Sequence, residues 1–151
     1  MKQILLTTTL LLISFIDLKA QSYEYKVITS VESIVPMGIG RSRIISSEED
    51  KDYNNFTSER TAENKKQNKS KRSSIKINNF EETKLLNFFS IAGINFKNIA
   101  SNDALISSKI NTMTYNGWDL AFVVSGVESD SGKDDGQGIY ITRYIFKRLR
   151  Q

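Results

Sequence analysis

Residues 46–79 divide this chain. The only apolar side chains in that stretch are Tyr53, Phe56, Ala62, Ile75 and Ile77. So few cannot bury enough surface to offset the entropy lost when the backbone is ordered. The segment is therefore expected as a long, disordered, polar insert. Any core must come from the flanking parts, 23–45 and 80–150, which together suffice for one small domain. No internal repeat is visible, so 21–151 reads as a single unit interrupted by a loop.

The residue inventory narrows the chemistry. The 151 residues include no cysteine and no histidine. Disulfides, zinc–thiolate sites, iron–sulfur clusters and a thiolate nucleophile are excluded. So are the commonest general base and the Ser-His-Asp arrangement. Catalysis would fall to carboxylates, lysine, tyrosine or backbone dipoles, and a carboxylate-dependent hydrolase is the one enzyme class left open. The expectation is no enzyme, no cofactor and no metal.

The first residues read as an export signal. Met1-Lys2-Gln3 precedes an apolar run over 4–16, and Leu18-Lys19-Ala20 supplies a small residue before Gln21. A positive start, a short apolar core and a small residue at the junction form the secretory pattern. The run falls short of the ~20 apolar residues that a spanning helix needs. Residues 1–20 are thus expected to be removed, leaving a periplasmic or secreted chain with no transmembrane segment. Such a chain must hold its fold without a covalent staple.

The mature sequence alternates strand and helix signals. In Tyr23-Glu24-Tyr25-Lys26-Val27-Ile28-Thr29-Ser30-Val31, period-2 alternation puts Tyr23, Tyr25, Val27 and Val31 on one face. Glu24, Lys26, Ser30 and Glu32 take the other. Pro36 to Gly40 is a turn signal, with a short returning strand over 41–45. Asn79-Phe80-Glu81-Glu82 matches a capping box before Leu85, Leu86, Phe88 and Phe89, so 83–91 reads either as a helix or as a buried strand. A second helix is expected from Ser101 or Asn102, with Ile106, Ile110 and Met113 on its inner face and Asn116-Gly117 as its stop. Trp118, Leu120, Phe122 and Val124 then share one face of a strand. After a polar loop a last strand over 139–146 alternates again and pairs with it as a hairpin. The sum is an α+β domain: an antiparallel sheet of about three to five strands with an amphipathic helix on one face.

The opening Tyr23-Glu24-Tyr25-Lys26-Val27, the Asn116-Gly117-Trp118-Asp119-Leu120 turn and the closing Ile145-Phe146-Lys147-Arg148 together resemble the small domain of unknown function 4177. They are also similar to a group of exported proteins of Bacteroidetes-type bacteria. Asp119 stands where that domain more usually carries Glu. The resemblance covers the mature termini and the last part of the chain, but not the insert. It implies a compact β-α-β-β domain and transfers no catalytic residue.

Four features are candidate sites. Gly38-Ile39-Gly40-Arg41-Ser42-Arg43 sets Arg41 and Arg43 beside a glycine turn, an anion-binding combination, though without the third glycine of a dinucleotide fingerprint or the lysine of a P-loop. The acidic loop 128–136 is rich in carboxylates but fails calcium-loop spacing, since Gly132 and Ile141 stand where ligands belong and Lys133 opposes a cation. Residues 60–76 carry seven basic residues and one acid. Within them Lys65, Lys66, Lys69, Lys71 and Arg72 form a run fit for acidic glycans or lipid headgroups. Nucleic acid is not favoured, because no aromatics are interleaved for base stacking. Finally, Tyr140, Tyr144 and Phe146 lie on one face of the last strand while Ile139, Ile141 and Ile145 lie on the other. A strand apolar on both sides belongs to a sheet covered twice, by a helix and by another subunit. Tyr140, Tyr144 and Phe146 are the expected self-association face.

The functional expectation is an exported, non-catalytic binding module that associates with itself or with an envelope protein. A polyanion binder using the basic run is the alternative.

Overall fold

The computed structural model describes residues 21–35, 41–90, 92–129 and 138–150. The expected leader, the turn expected at 36–40 and most of the acidic loop lie outside them.

Seven strands and one helix follow in order: β1 (Tyr23–Ser33), β2 (Arg43–Ser47), β3 (Phe80–Lys84), β4 (Phe89–Ser90), β5 (Gly93–Ile94), α1 (Phe96–Tyr115), β6 (Asp119–Glu128) and β7 (Ile139–Leu149). Five of the strands form one sheet in the order β3-β2-β1-β7-β6, every neighbouring pair antiparallel. The remaining two, β4 and β5, make a small hairpin ahead of the helix. The expected α+β class holds, as does the β6–β7 hairpin.

The centre of the sheet is the pairing of its first and last strands. β1 and β7 match over their whole length, from Tyr23 opposite Leu149 to Ser33 opposite Ile139. Successive side chains point to opposite faces. Ile28, Ser30 and Glu32 therefore point one way together with Ile44, Tyr144 and Phe146, and α1 lies over that side. The core is Ile28, Ile44, Leu85, Met113 and Phe146, with Ile106, Ile110, Trp118 and Tyr144 packed against it. A void of about 10 Å³ remains between the layers, lined by Ile28, Ile44, Ile106, Lys109, Ile110, Tyr144 and Phe146. That is room for one water at most.

The structure moves three expected elements. Residues 80–84 are a strand, and no helix starts at Asn79. β2 offers an open edge, and β3 fills it from Ser47 opposite Phe80 to Arg43 opposite Lys84. The helix begins at Phe96, ahead of Ser101. Asn95 is its cap and accepts from the Asn98 N–H, while Asn102 lies inside the helix and is fully buried. Its end matches the expected stop: the Gly117 N–H reaches the Thr114 carbonyl, the Trp118 N–H reaches the Met113 carbonyl, and Gly117 takes φ 81°. That is a complete Schellman termination, and the positive φ explains the glycine. Finally, Trp118, Leu120, Phe122 and Val124 do not share a face. Leu120 pairs with Phe146 but Phe122 pairs with Ile145, so Ala121 is an extra, bulged residue that reverses the alternation after it.

The insert, 48–79, connects β2 to β3. It carries two single turns of 3-10 helix, Tyr53–Phe56 and Arg72–Ile75, and no buried residue. Its ends are clamped by Glu49, whose Oε1 accepts from the Asn78 N–H (2.8 Å) and the Asn79 N–H (2.7 Å). These two backbone donors, and then Lys51, hold the Glu49 carboxyl below its ordinary range despite its exposure.

Phe146 is fully buried and joins both layers. Phe146→Ala should cost about 3–5 kcal/mol of stability, read as the shift of the urea midpoint at unchanged slope. A loss under ~1 kcal/mol would mean that the core is not where the structure puts it.

Candidate functional site

Three surfaces and one buried cluster carry the chemistry of this fold. The buried cluster lies under the first half of α1. Asn102 Nδ2 donates to Glu32 Oε1 (2.8 Å) and to the Leu86 carbonyl (2.7 Å), while its Oδ1 accepts from the Leu86 N–H (2.8 Å). Asn98 Nδ2 donates to the Asn87 carbonyl (2.8 Å), and the Ser42 hydroxyl donates to Asn87 Oδ1 (3.0 Å). The Ser33 N–H in turn donates to Ser42 Oγ (2.9 Å). Side-chain amides thus fasten 85–87 between sheet and helix and satisfy a backbone that no strand pairs.

Two ionisable groups sit here. Burial raises the pKa of Glu32; its bond from Asn102 partly reverses that, and Asp103 adds to the rise. Burial also raises the Tyr144 phenol. The Ser30 hydroxyl, facing it outside strict hydrogen-bonding geometry, acts the other way, and Glu32, Asp103 and Tyr140 push it further up. A phenol shifted upward is a weaker acid, the reverse of what an activated base or nucleophile needs. The cluster reads as a structural fastening.

The second feature is a cleft of about 420 Å³ at one end of the sheet, lined by Glu24, Lys26, Glu48, Glu49, Trp118 and Arg148 among others. Its charges are mostly paired. Arg148 Nη2 lies 2.6 Å from Glu24 Oε1, and Lys26 Nζ lies 3.3 Å from Glu48 Oε1. The Arg148 guanidinium also stacks 4.3 Å above the Trp118 ring. That face of the indole, which a sugar would need, is taken by the protein's own arginine. Trp118 otherwise packs on the core. Among the described residues no group of three or more acids is placed to hold a metal ion.

The third feature is the basic run. Lys65, Lys66, Lys69, Lys71 and Arg72 are all exposed. Asn68 gathers the loop around them: its Nδ2 donates to the Asn55 and Thr57 carbonyls (3.0 Å each), and its N–H donates to Ser58 Oγ (2.6 Å). Among the described residues none of these five cations is in an ion pair. The arginines expected beside the glycine turn are placed differently. Arg43 Nη1 lies 2.7 Å from Glu82 Oε2, so an anion there would compete with a carboxylate. Arg41 is exposed just before β2, and the glycines that would complete its site lie outside the described residues.

The fourth feature is the sheet face turned away from α1. One row across it reads Val27, Ile145, Phe122; the next reads Ile45, Thr29, Arg143, Val124. Tyr25, Val31 and Ile141 extend the patch. Tyr25 is 59 % exposed, Val27 46 % and Phe122 62 %. This placement corrects the expected self-association face. Phe146 is in the core, Tyr144 packs against it, and Tyr140 shares their side, so all three lie on the helix side. The available apolar face belongs to the opposite parity, Ile141 and Ile145. Alternation alone separated the two sets correctly, but the side that α1 covers depends on contacts across the chain.

No known family, curated protein or solved structure matches this chain. The likeness to domain 4177 is therefore one of motifs. No helix among the described residues is long and apolar enough to cross a membrane.

The raised pKa of Glu32 means that its protonated form favours the fold, and that this contribution fades as pH rises through the folded value. Glu32→Gln keeps an acceptor for Asn102 and removes the charge. It should raise the melting temperature by a few degrees at pH 7 and leave it unchanged below the ordinary glutamate pKa of about 4.3, as followed by circular dichroism. An equal or lower melting temperature at pH 7 would count against the desolvated carboxylate.

Proposed function

We propose that this chain is an exported, non-catalytic binding module that docks an envelope protein partner on the uncovered face of its sheet. The observation that carries the reading is the patch of Tyr25, Val27, Phe122, Ile141 and Ile145, opposite the helix and uncovered among the described residues. Contiguous apolar patches on soluble domains mark interaction sites. The three-part leader pattern supports export, and the missing histidine and cysteine argue against most hydrolytic mechanisms. In cells the intact mass of the protein should start at Gln21, and cross-linking should yield a defined adduct that Val27→Glu loses and Tyr115→Ser, on the exposed helix end, keeps. An adduct pattern identical in all three proteins would remove the face as a docking surface.

A second reading rests on the basic run, whose five exposed cations are gathered by Asn68. It supports binding to acidic glycan or lipid headgroups through charge alone. Retention on heparin should then fall steeply with salt, as counterion release requires, and should be lost when Lys65, Lys66 and Lys69 are changed to Gln. Retention that ignores salt would eliminate this reading.

A further inference from the structure

β6 is an edge strand with few of the usual protections. It pairs with β7 on one side, and on the other it has no strand partner among the described residues. Natural edges are blunted by shortness, charge, proline or bulges. The opposite edge, β3, follows that rule: it has five residues, among them Glu81, Glu82 and Lys84. β6 has ten, with no charge between Asp119 and Glu128 and no proline. Its single bulge lies near its start and leaves Phe122–Glu128 in unbroken register with β7. The strand is also bare on both faces. Phe122 (62 %) and Val124 (59 %) are exposed on the open side, and Val123 (53 %) and Val127 (62 %) on the helix side.

We propose that two copies of this chain pair antiparallel through β6, about a two-fold axis at Val124, joining two five-stranded sheets into one of ten. The proposal rests on the binding-module reading only in treating the chain as one that works by association. Residues opposite each other in an antiparallel pair share a face. With Val124 opposite itself, Val123 meets Ser125 on the helix side and Phe122 meets Gly126 on the open side, so every pair satisfies the rule. The Phe122 ring of each copy then covers Gly126 of the second copy. A side chain added at Gly126 would meet nothing within 4 Å, so that space is empty and able to receive a ring. An aromatic laid across an edge glycine is a recognised way to stabilise such a strand.

Charge confines the pairing to this stretch. Beyond the Phe122–Gly126 ladder, Glu128 of each copy comes beside Asp119 of the second copy, a like-charge contact that ends the pairing there. Within the ladder the nearest like charges are the two Arg143 side chains, next to Val124 on β7. Three strand spacings put them ~14 Å apart, beyond the screening length of about 8 Å at physiological salt. Even full covering of Phe122, Val123, Val124 and Val127 in both copies would remove less than about 1,000 Å² from water, under the standard size of a stable interface, so the pairing rests mainly on ladder hydrogen bonds. Both helices end on one side of the joined sheet, and the two open faces merge on the other.

The chain has no native cysteine, which makes a disulfide test clean. In the full chain, Val124→Cys puts two thiols opposite each other with Cα atoms ~4.5–5.5 Å apart, within disulfide reach. Mild oxidation should convert it almost wholly to a covalent dimer on a non-reducing gel. Tyr115→Cys, 91 % exposed on the helix, should stay mostly monomeric. Light scattering should give a dimer for the unmodified chain and a monomer for Val124→Lys with its circular dichroism unchanged. A monomeric unmodified chain, or equal cross-linking of the two cysteine variants, overturns the proposal. A dimer that survives Val124→Lys but not Val27→Glu overturns it too, and leaves open-face docking standing as face-to-face association. Loss of the dimer in Val124→Lys, with the Val27→Glu adduct pattern unaffected, supports edge pairing and removes the open-face reading instead.

Discussion

The pairing of β1 with β7 is the contact on which this fold depends. It joins residues near the two ends of the described chain, along the full length of both strands. Each strand then serves as a template for one more, β2 on β1 and β6 on β7, and β3 completes the order. The pairing also places Ile28 beside Tyr144 and Lys26 beside Phe146, which creates the platform for α1. The cost of closing a loop grows only slowly with its length. A long insert between β2 and β3 is therefore tolerated once both strands have a register to return to, and Glu49 ties its two ends where the ladder stops.

The helix meets that platform with two different chemistries. Its second half presents Ile106, Ile110 and Met113 to Ile28, Ile44 and Phe146, an ordinary apolar contact. Its first half presents Asn98 and Asn102 to Asn87, Leu86 and Glu32. Apolar packing tolerates sliding, whereas a buried side-chain amide holding three hydrogen bonds does not. The polar half thus sets the position of the helix along the sheet, and it brings a carboxylate into a place where its charge is disfavoured. The same docking decides which sheet face is covered.

What remains uncovered is unequal. One edge, β3, carries Glu81, Glu82 and Lys84; the other, β6, is apolar on both faces between its end residues. One sheet face carries the helix; the other carries tyrosines, valines and isoleucines around Arg143, with Arg43 and Lys147 at its margins. In a chain without a cysteine staple, apolar surface left outside the core is surface that association can use. The edge and the face are adjoining parts of one surface, because Phe122 and Val124 belong to both.

Period-2 alternation in 23–31 and 139–146, the polar insert, and the Asn116-Gly117 stop were all readable from residues alone. Each is local: a pleat, a shortage of apolar side chains, a position that needs positive φ. The leader pattern and the absence of histidine and cysteine likewise belong to the sequence and bound the chemistry. Alternation could sort Tyr144 and Phe146 from Ile141 and Ile145, but not say which set faces the helix, because both are apolar. The capping box at Asn79 was a sound local signal, overridden by the open edge of β2. Asn102 looked like a cap and is instead the buried centre of a network whose partners lie far away in sequence. The bulge at Ala121 leaves no mark in the residues, since only the register against β7 defines it. Those outcomes rest on contacts between distant segments, and only the assembled sheet, through the docking of α1 on one of its two apolar sides, decided them.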